Sequence, residues 1–390
     1  MSEYRSGRHF LQIPGPSNVP ERILRAMARP TIDHRGPEFA GLALEVLEGL
    51  QWLVGTDGPV LAYPSSGTGA WEAALVNTLS SGDRVLMFET GHFGVEWAGV
   101  ARRLGLEVDF VEGDWRHGVD PGVVEERLGR DRSGTYRAVC VLHNETSTGT
   151  ISPVPEIRQA IDRAGHPALL MVDTISSLGS VPYRHGEWGV DVTVAASQKG
   201  LMLPPGLGFT AVSEKAVEAS GTATLPRSYW GWGRMIAENE RGFFPYTPAT
   251  NLLYGLKESV TIFREHGLEE VFRRHRRHGE ATRAAVAAWG LETQCLDPSA
   301  HSDVLTGVRM PRGHDADAFR RVALERYDLS LGTGLGKIRG QMFRIGHLGD
   351  FNDLMLIGTL GGVESALVLA GIPIRRGGVD SAIRSLEGTA

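Results

Sequence analysis

Four stretches of the chain carry residue types that could do chemistry together. Lys199 follows a largely apolar run, Val190 to Ala196, and precedes a Gly/Pro-rich loop reaching Gly206. Lysine is ordinarily a hydrated surface residue. Placed where a buried strand runs into a tight loop, its amine is partly desolvated and can act as a nucleophile. Asp173 comes directly after the apolar run Ala168 to Val172. A carboxylate there needs a cation, a hydrogen-bond donor or a ligand nitrogen, unless it caps a helix. Ser66-Gly67-Thr68-Gly69 follows the strand-like Val60 to Pro64. Its glycines let the backbone approach a phosphate, its hydroxyls donate, and the next helix presents its positive end. Taken alone it also reads as a plain turn, since it lacks the lysine of a P-loop. Arg344, inside the apolar Phe343-Arg344-Ile345-Gly346-His347, suits a bidentate grip on a carboxylate or a structural ion pair.

An amine, an acid and a phosphate-type turn on neighbouring strand ends are what pyridoxal phosphate requires. The amine takes its aldehyde, the acid keeps its ring nitrogen protonated, and the turn holds its phosphate.

The elements that must position these residues are legible as an alternation. Strands are predicted at Val60 to Pro64, Arg84 to Phe88, Val108 to Val111, Ala138 to His143, Ala168 to Val172 and Val190 to Ala196. Between them, helical spacing is predicted from Ala70 to Leu79, Gly94 to Leu104, Pro121 to Leu128 and Pro155 to Ala164. Near-continuous apolar strands alternating with helices imply an α/β fold, a mostly parallel sheet covered on both faces. Ligands in such sheets bind beyond the carboxyl ends of the strands. The expected organisation is an N-terminal arm over 1–20, a large domain over 21–265, and a bridging helix with a smaller C-terminal α+β domain over 266–390. Leu268 to Trp289 is the long amphipathic bridge, followed by a strand at Val304 to Met310, a helix at Ala316 to Tyr327 and a last helix at Asp353 to Ala370.

Composition limits the possibilities. A length of 390 residues exceeds what one core supports, and 42% hydrophobic with 22% charged residues is ordinary for a globular chain. A net charge of -6 gives no footprint for nucleic acid. The cluster Arg273, Arg274, Arg276 and Arg277 reads as the wet face of a helix. Cys140 and Cys295 are too few for a disulfide framework or a zinc site, so no metal is expected. With no membrane span and a polar start, a cytoplasmic location is expected.

The same residues resemble the fold-type I, class V pyridoxal phosphate aminotransferases, within them the serine-glyoxylate and alanine-glyoxylate group. The resemblance rests on Pro14-Gly15-Pro16-Ser17-Asn18, Asp33-His34-Arg35, Ser66 to Gly69 with Trp71-Glu72, His143-Asn144-Glu145-Thr146 with Thr148-Gly149, Val172-Asp173, Ser197 to Gly200, Tyr246-Thr247-Pro248 and Phe343 to His347, in the family's order over nearly the whole chain. It implies a seven-stranded-type sheet and a homodimer with its active site at the subunit interface. Lys199 would carry the cofactor's aldehyde and move the substrate's proton, and Asp173 would hold the ring nitrogen. Phe93 and Ile175 would pack the ring faces, and Thr146 would bond the ring hydroxyl. Ser66, Gly67, Thr68 and Gln198 would bind phosphate, with Tyr246 and Thr247 reaching in from a second subunit. Arg344 would clamp the substrate carboxylate, and Arg35 would add a second cation. The implied reaction is a ping-pong transfer of an amino group from a small amino acid, serine favoured, to glyoxylate. Aspartate and alanine stand as alternative donors. A lyase such as a cysteine desulfurase is a further alternative, disfavoured because neither cysteine falls in a loop near the motifs. A regulator without turnover is another, which would need a DNA-binding module for which no spare length exists. Two departures stand out. Ile175 stands in Asp173-Thr174-Ile175 where the broader alanine-glyoxylate group tends to carry valine, and Gly231 replaces an acidic residue of the serine-glyoxylate relatives.

Overall fold

The computed structural model describes residues 6–388. Its centre is a seven-stranded sheet in the order Val60–Ser65, Gly206–Val212, Val192–Ala196, Leu169–Asp173, Tyr136–Leu142, Arg84–Phe88, Glu107–Val111. Five neighbouring strands run parallel, and Gly206–Val212 runs antiparallel to both of its neighbours. Two antiparallel steps restore the direction. The carboxyl ends of Val60–Ser65, Leu169–Asp173 and Val192–Ala196 therefore share one edge.

Strict alternation explains why these strands are apolar throughout. Leu170 and Val172 enter one half of the core and Leu169 and Met171 the other, as do Val139 and Val141 against Ala138 and Cys140. Helices pack on both faces, which is why both sets are buried.

The second sheet has four strands in the order Phe10–Gln12, Leu329–Thr333, Met342–Gly346, Leu305–Arg309. Helices Leu268–Trp289, Ala316–Tyr327, Asp353–Leu369 and Gly378–Gly388 build its core, with Trp289, Phe319 and Phe343 at its centre. The N-terminal arm thus begins as a strand, paired in parallel with Leu329–Thr333. Among the described residues no helix is long and apolar enough to cross a membrane.

Several elements differ from the sequence expectation. The strand Gly206–Val212 begins where a loop is expected to end, and helices Glu214–Thr222, Trp232–Asn239 and Gly378–Gly388 have no counterpart in the predicted pattern. Elsewhere the expected bounds hold closely, as for Arg84–Phe88, Leu268–Trp289 and Ala316–Tyr327.

Candidate active site

Three strand ends converge on a cavity of about 150 Å³. Asp173 is the last residue of its strand and is 3% exposed. Its Oδ1 accepts from the Ile175 amide at 2.7 Å, and its Oδ2 accepts from the Trp71 indole at 2.7 Å. Burial pushes its carboxyl up to about 7, against the pull of those two donors.

Lys199 lies three residues beyond the strand Val192–Ala196 and is 9% exposed. Burial lowers its amine to about 8, the nearby Arg344 charge adds to this, and Asp173 opposes it. Its Nζ donates to the Pro14 carbonyl. Its own carbonyl accepts from Ser17 Oγ at 2.8 Å, and the Gln198 carbonyl accepts from the Ser17 amide at 3.0 Å. The arm is therefore part of the cavity's frame. Gly15 needs to be glycine: its φ is +93°, and a Cβ there would meet the Lys199 side chain at 2.3 Å.

On the third side, helix Gly67–Thr78 starts at the cavity, and Ser66 at its N-cap makes no side-chain capping bond. The first amides of a helix have no acceptor within it. Ser66, Gly67 and Thr68 thus offer free donors at the positive end of a helix dipole, beside Gln198. Phe93 and Ile175 form apolar wall, and Thr146 completes the lining. Thr146 Oγ1 is hydrogen-bonded to Ser176 Oγ. Three polar side-chain atoms here are buried without a partner, namely Gln198 Oε1 and both Oδ1 and Nδ2 of Asn144.

Arg344 arrives from the smaller sheet, 7% exposed, on the strand Met342–Gly346. Its Nε donates to the Thr333 carbonyl and its Nη1 to the Thr146 carbonyl, at 2.8 and 2.7 Å. Burial lowers the guanidinium to about 10. Its hydrogen bonds run to carbonyls, so the arrangement leaves Nη2 for an incoming carboxylate.

Other sequence candidates lie apart from this cavity within one chain. Arg35 is exposed, its amide bonded to Asp33 Oδ1 at 3.0 Å. Thr247 is exposed, and Tyr246 stacks on Tyr229 with centroids 4.4 Å apart. Tyr229, Gly231 and Tyr246 border a larger cavity of about 610 Å³. Size alone does not decide between the two, because the perturbed lysine and aspartate converge on the smaller one. Cys140 lies in the central strand Tyr136–Leu142, 1% exposed, with its thiol pushed up by burial, and Cys295 sits on the far side of the smaller sheet's pairing near His301. Neither borders the Lys199 cavity.

Sequence reasoning assigns no role to Trp71, Asn144 or Glu145. The quoted motifs contain all three, and Asn144 and Glu145 are buried polar residues at the cavity's edge.

Comparison with known proteins places this geometry. The family model for class-V aminotransferases matches residues 10–334. A serine–glyoxylate aminotransferase of Methylorubrum extorquens is 46% identical over 96% of this chain and 94% of its own length. An L-aspartate–glyoxylate aminotransferase of Paracoccus denitrificans is 45% identical over 94% of this chain and 92% of its own. Among solved structures, ureidoglycine-glyoxylate aminotransferase from Bacillus subtilis superposes with a TM-score of 0.90 at 27% identity, covering 99% of this chain and 100% of that one. With a family model spanning most of its length and relatives this similar from end to end, the chain belongs to the class-V aminotransferases.

Proposed function

We propose that the chain transfers the amino group of serine to glyoxylate, giving hydroxypyruvate and glycine by a ping-pong cycle. The observation that carries this reading is one buried cavity holding Lys199 and Asp173 with Arg344 beside it. Two of the similar relatives described above use glyoxylate, with serine in one case and aspartate in the other. Serine is favoured because Arg35, the residue that would add a second cation for an acidic donor, lies away from the cavity within the chain.

Class-V membership implies pyridoxal phosphate, and the donor set fits it. Unpartnered Gln198 and Asn144 side-chain atoms, the start of helix Gly67–Thr78 and a carboxyl at Asp173 raised for want of a cation all await a polar group. When bound, the cofactor supplies an aldehyde that condenses with amines and a ring that takes up the electron pair left by the departing α-proton.

The chain's own residues do the rest. Ser66, Gly67, Thr68 and Gln198 hold the phosphate, Asp173 faces the ring nitrogen, Thr146 lies toward the ring hydroxyl, and Phe93 and Ile175 flank the ring. Arg344 fixes the substrate carboxylate, which orients the α-carbon toward Lys199. With its pKa near 8, the Lys199 amine is substantially neutral at physiological pH and can take that proton and return it. Tyr246 and Thr247, off the cavity in one chain, are assigned to the partner's site in a homodimer. Two buried free cysteines fit a cytoplasmic location.

The test is spectroscopic and chemical. Protein reconstituted with pyridoxal phosphate should be yellow, lose its long-wavelength band on adding serine and regain it on adding glyoxylate. Lys199→Ala should not cycle. If aspartate or alanine gives a higher kcat/KM than serine, the donor assignment fails; if no amino acid shifts the band, the reading fails.

A further inference from the structure

The proposed reaction leaves one buried carboxylate at the cavity's edge without a part. Glu145 is 1% exposed, and both of its oxygens are engaged. Oε1 accepts from the Ser147 amide at 2.9 Å, from Ser147 Oγ at 2.6 Å and from the Phe93 amide at 3.4 Å. Oε2 accepts from the Gly94 amide at 3.1 Å. Ser147 Oγ accepts in turn from the His92 amide at 2.9 Å.

These bonds fill a gap in another element. Helix His92–Arg103 has Gly91 as its N-cap, and glycine brings no side chain to the free amides of a first turn. The three amides at its start, those of His92, Phe93 and Gly94, find acceptors on a segment more than 50 residues away in sequence. A Cβ at Gly91 would stand 2.4 Å from both Glu145 Cγ and Ser147 Oγ, so the close approach itself requires glycine. A buried anion at a helix N-terminus is also favoured by the helix dipole.

The same segment reaches the other wall. Between Glu145 and Ser147 stands Thr146, whose carbonyl holds Arg344. Gly149 and Thr148 amides close the turn on the Glu145 carbonyl at 2.9 and 3.3 Å. One residue therefore ties the helix that presents Phe93 to the loop that anchors the guanidinium.

We infer that Glu145 is a positioning residue, fixing Phe93 against the cavity and Arg344 over it through the Thr146 carbonyl. The inference rests on the aminotransferase reading for what Phe93 and Arg344 do, but the tie itself belongs to the fold. Glu145→Gln turns an acceptor into a donor that faces amide donors. In cofactor-free protein, hydrogen exchange at the amides of residues 92–94 should speed up about tenfold or more, since a charged, buried hydrogen bond is lost. The Kd for pyridoxal phosphate, read by tryptophan quenching, should rise about tenfold, and KM for the amino donor should rise by a larger factor than kcat falls. Combining Glu145→Gln with Phe93→Leu should cost less in Kd than the two single effects together. Exchange and Kd within about twofold of wild type, or full additivity, overturn the inference. Should Glu145→Gln not fold, Ser147→Ala removes only the His92 cap, and the same exchange and Kd measurements decide. Wild-type protein that binds no pyridoxal phosphate would sink the aminotransferase reading instead, and exchange at 92–94 would still report on the tie.

Discussion

The Asp173 carboxyl departs in sign from a surface aspartate, and this has a thermodynamic consequence. Burial lifts it to about 7 in the folded chain, whereas an unfolded aspartate ionises near 3.8. The folded cofactor-free protein therefore holds a proton that the unfolded chain has lost, and this contribution to stability disappears as pH rises from about 4 to 7. Asp173→Asn should make the cofactor-free protein gain on wild type across that window, by at most roughly 4 kcal/mol near pH 7. Denaturant midpoints measured at several pH values check this, and a difference that is flat with pH refutes it. Lys199 and Asp173 are legible from sequence because a charged residue ending an apolar run must be accounted for. Trp71 is not legible in the same way. Its indole meets Asp173 across 102 residues, and no spacing along the chain encodes a contact set by helix packing.

At the level of elements, the start of helix Gly67–Thr78 separates binding from stability. A serine at an N-cap ordinarily contributes about 1 kcal/mol, but Ser66 makes no capping bond. Ser66→Ala should therefore leave the melting temperature of the cofactor-free protein nearly unchanged while raising the Kd for pyridoxal phosphate several-fold; a clear loss of Tm would show that the hydroxyl serves the helix after all. Parallel strands were legible because burial on both faces makes them apolar without interruption. Gly206–Val212 was not, because its Gly206-Leu207-Gly208 opening reads as loop. Structure supplies the reason: a Cβ at Gly208 would sit 2.7 Å from the Ser66 carbonyl, so the strand carries glycine where the helix start packs over it. Helix Gly378–Gly388, bracketed by glycines, hides its period for a similar reason.

For the whole molecule, the site as described in one chain holds Lys199, Asp173 and Arg344 but leaves Tyr246 and Thr247 elsewhere. If Thr247 serves the partner's cavity, Lys199→Ala and Thr247→Glu damage opposite halves of the same composite site. Two inactive variants unfolded and refolded together should then recover about a quarter of wild-type activity, from mixed dimers with one intact site. No recovery would place Thr247 in its own chain's site or none. The arm described above joins distant stages of the chain: Phe10 pairs with Leu329, while Ser17 holds the Gln198 and Lys199 carbonyls. Synthesis runs from the N-terminus, so the first strand to leave the ribosome waits unpaired until the seventh-eighths mark of the chain, roughly, has followed it. The lysine's frame is completed late, and a chain interrupted before residue 329 has no docking strand for its own beginning.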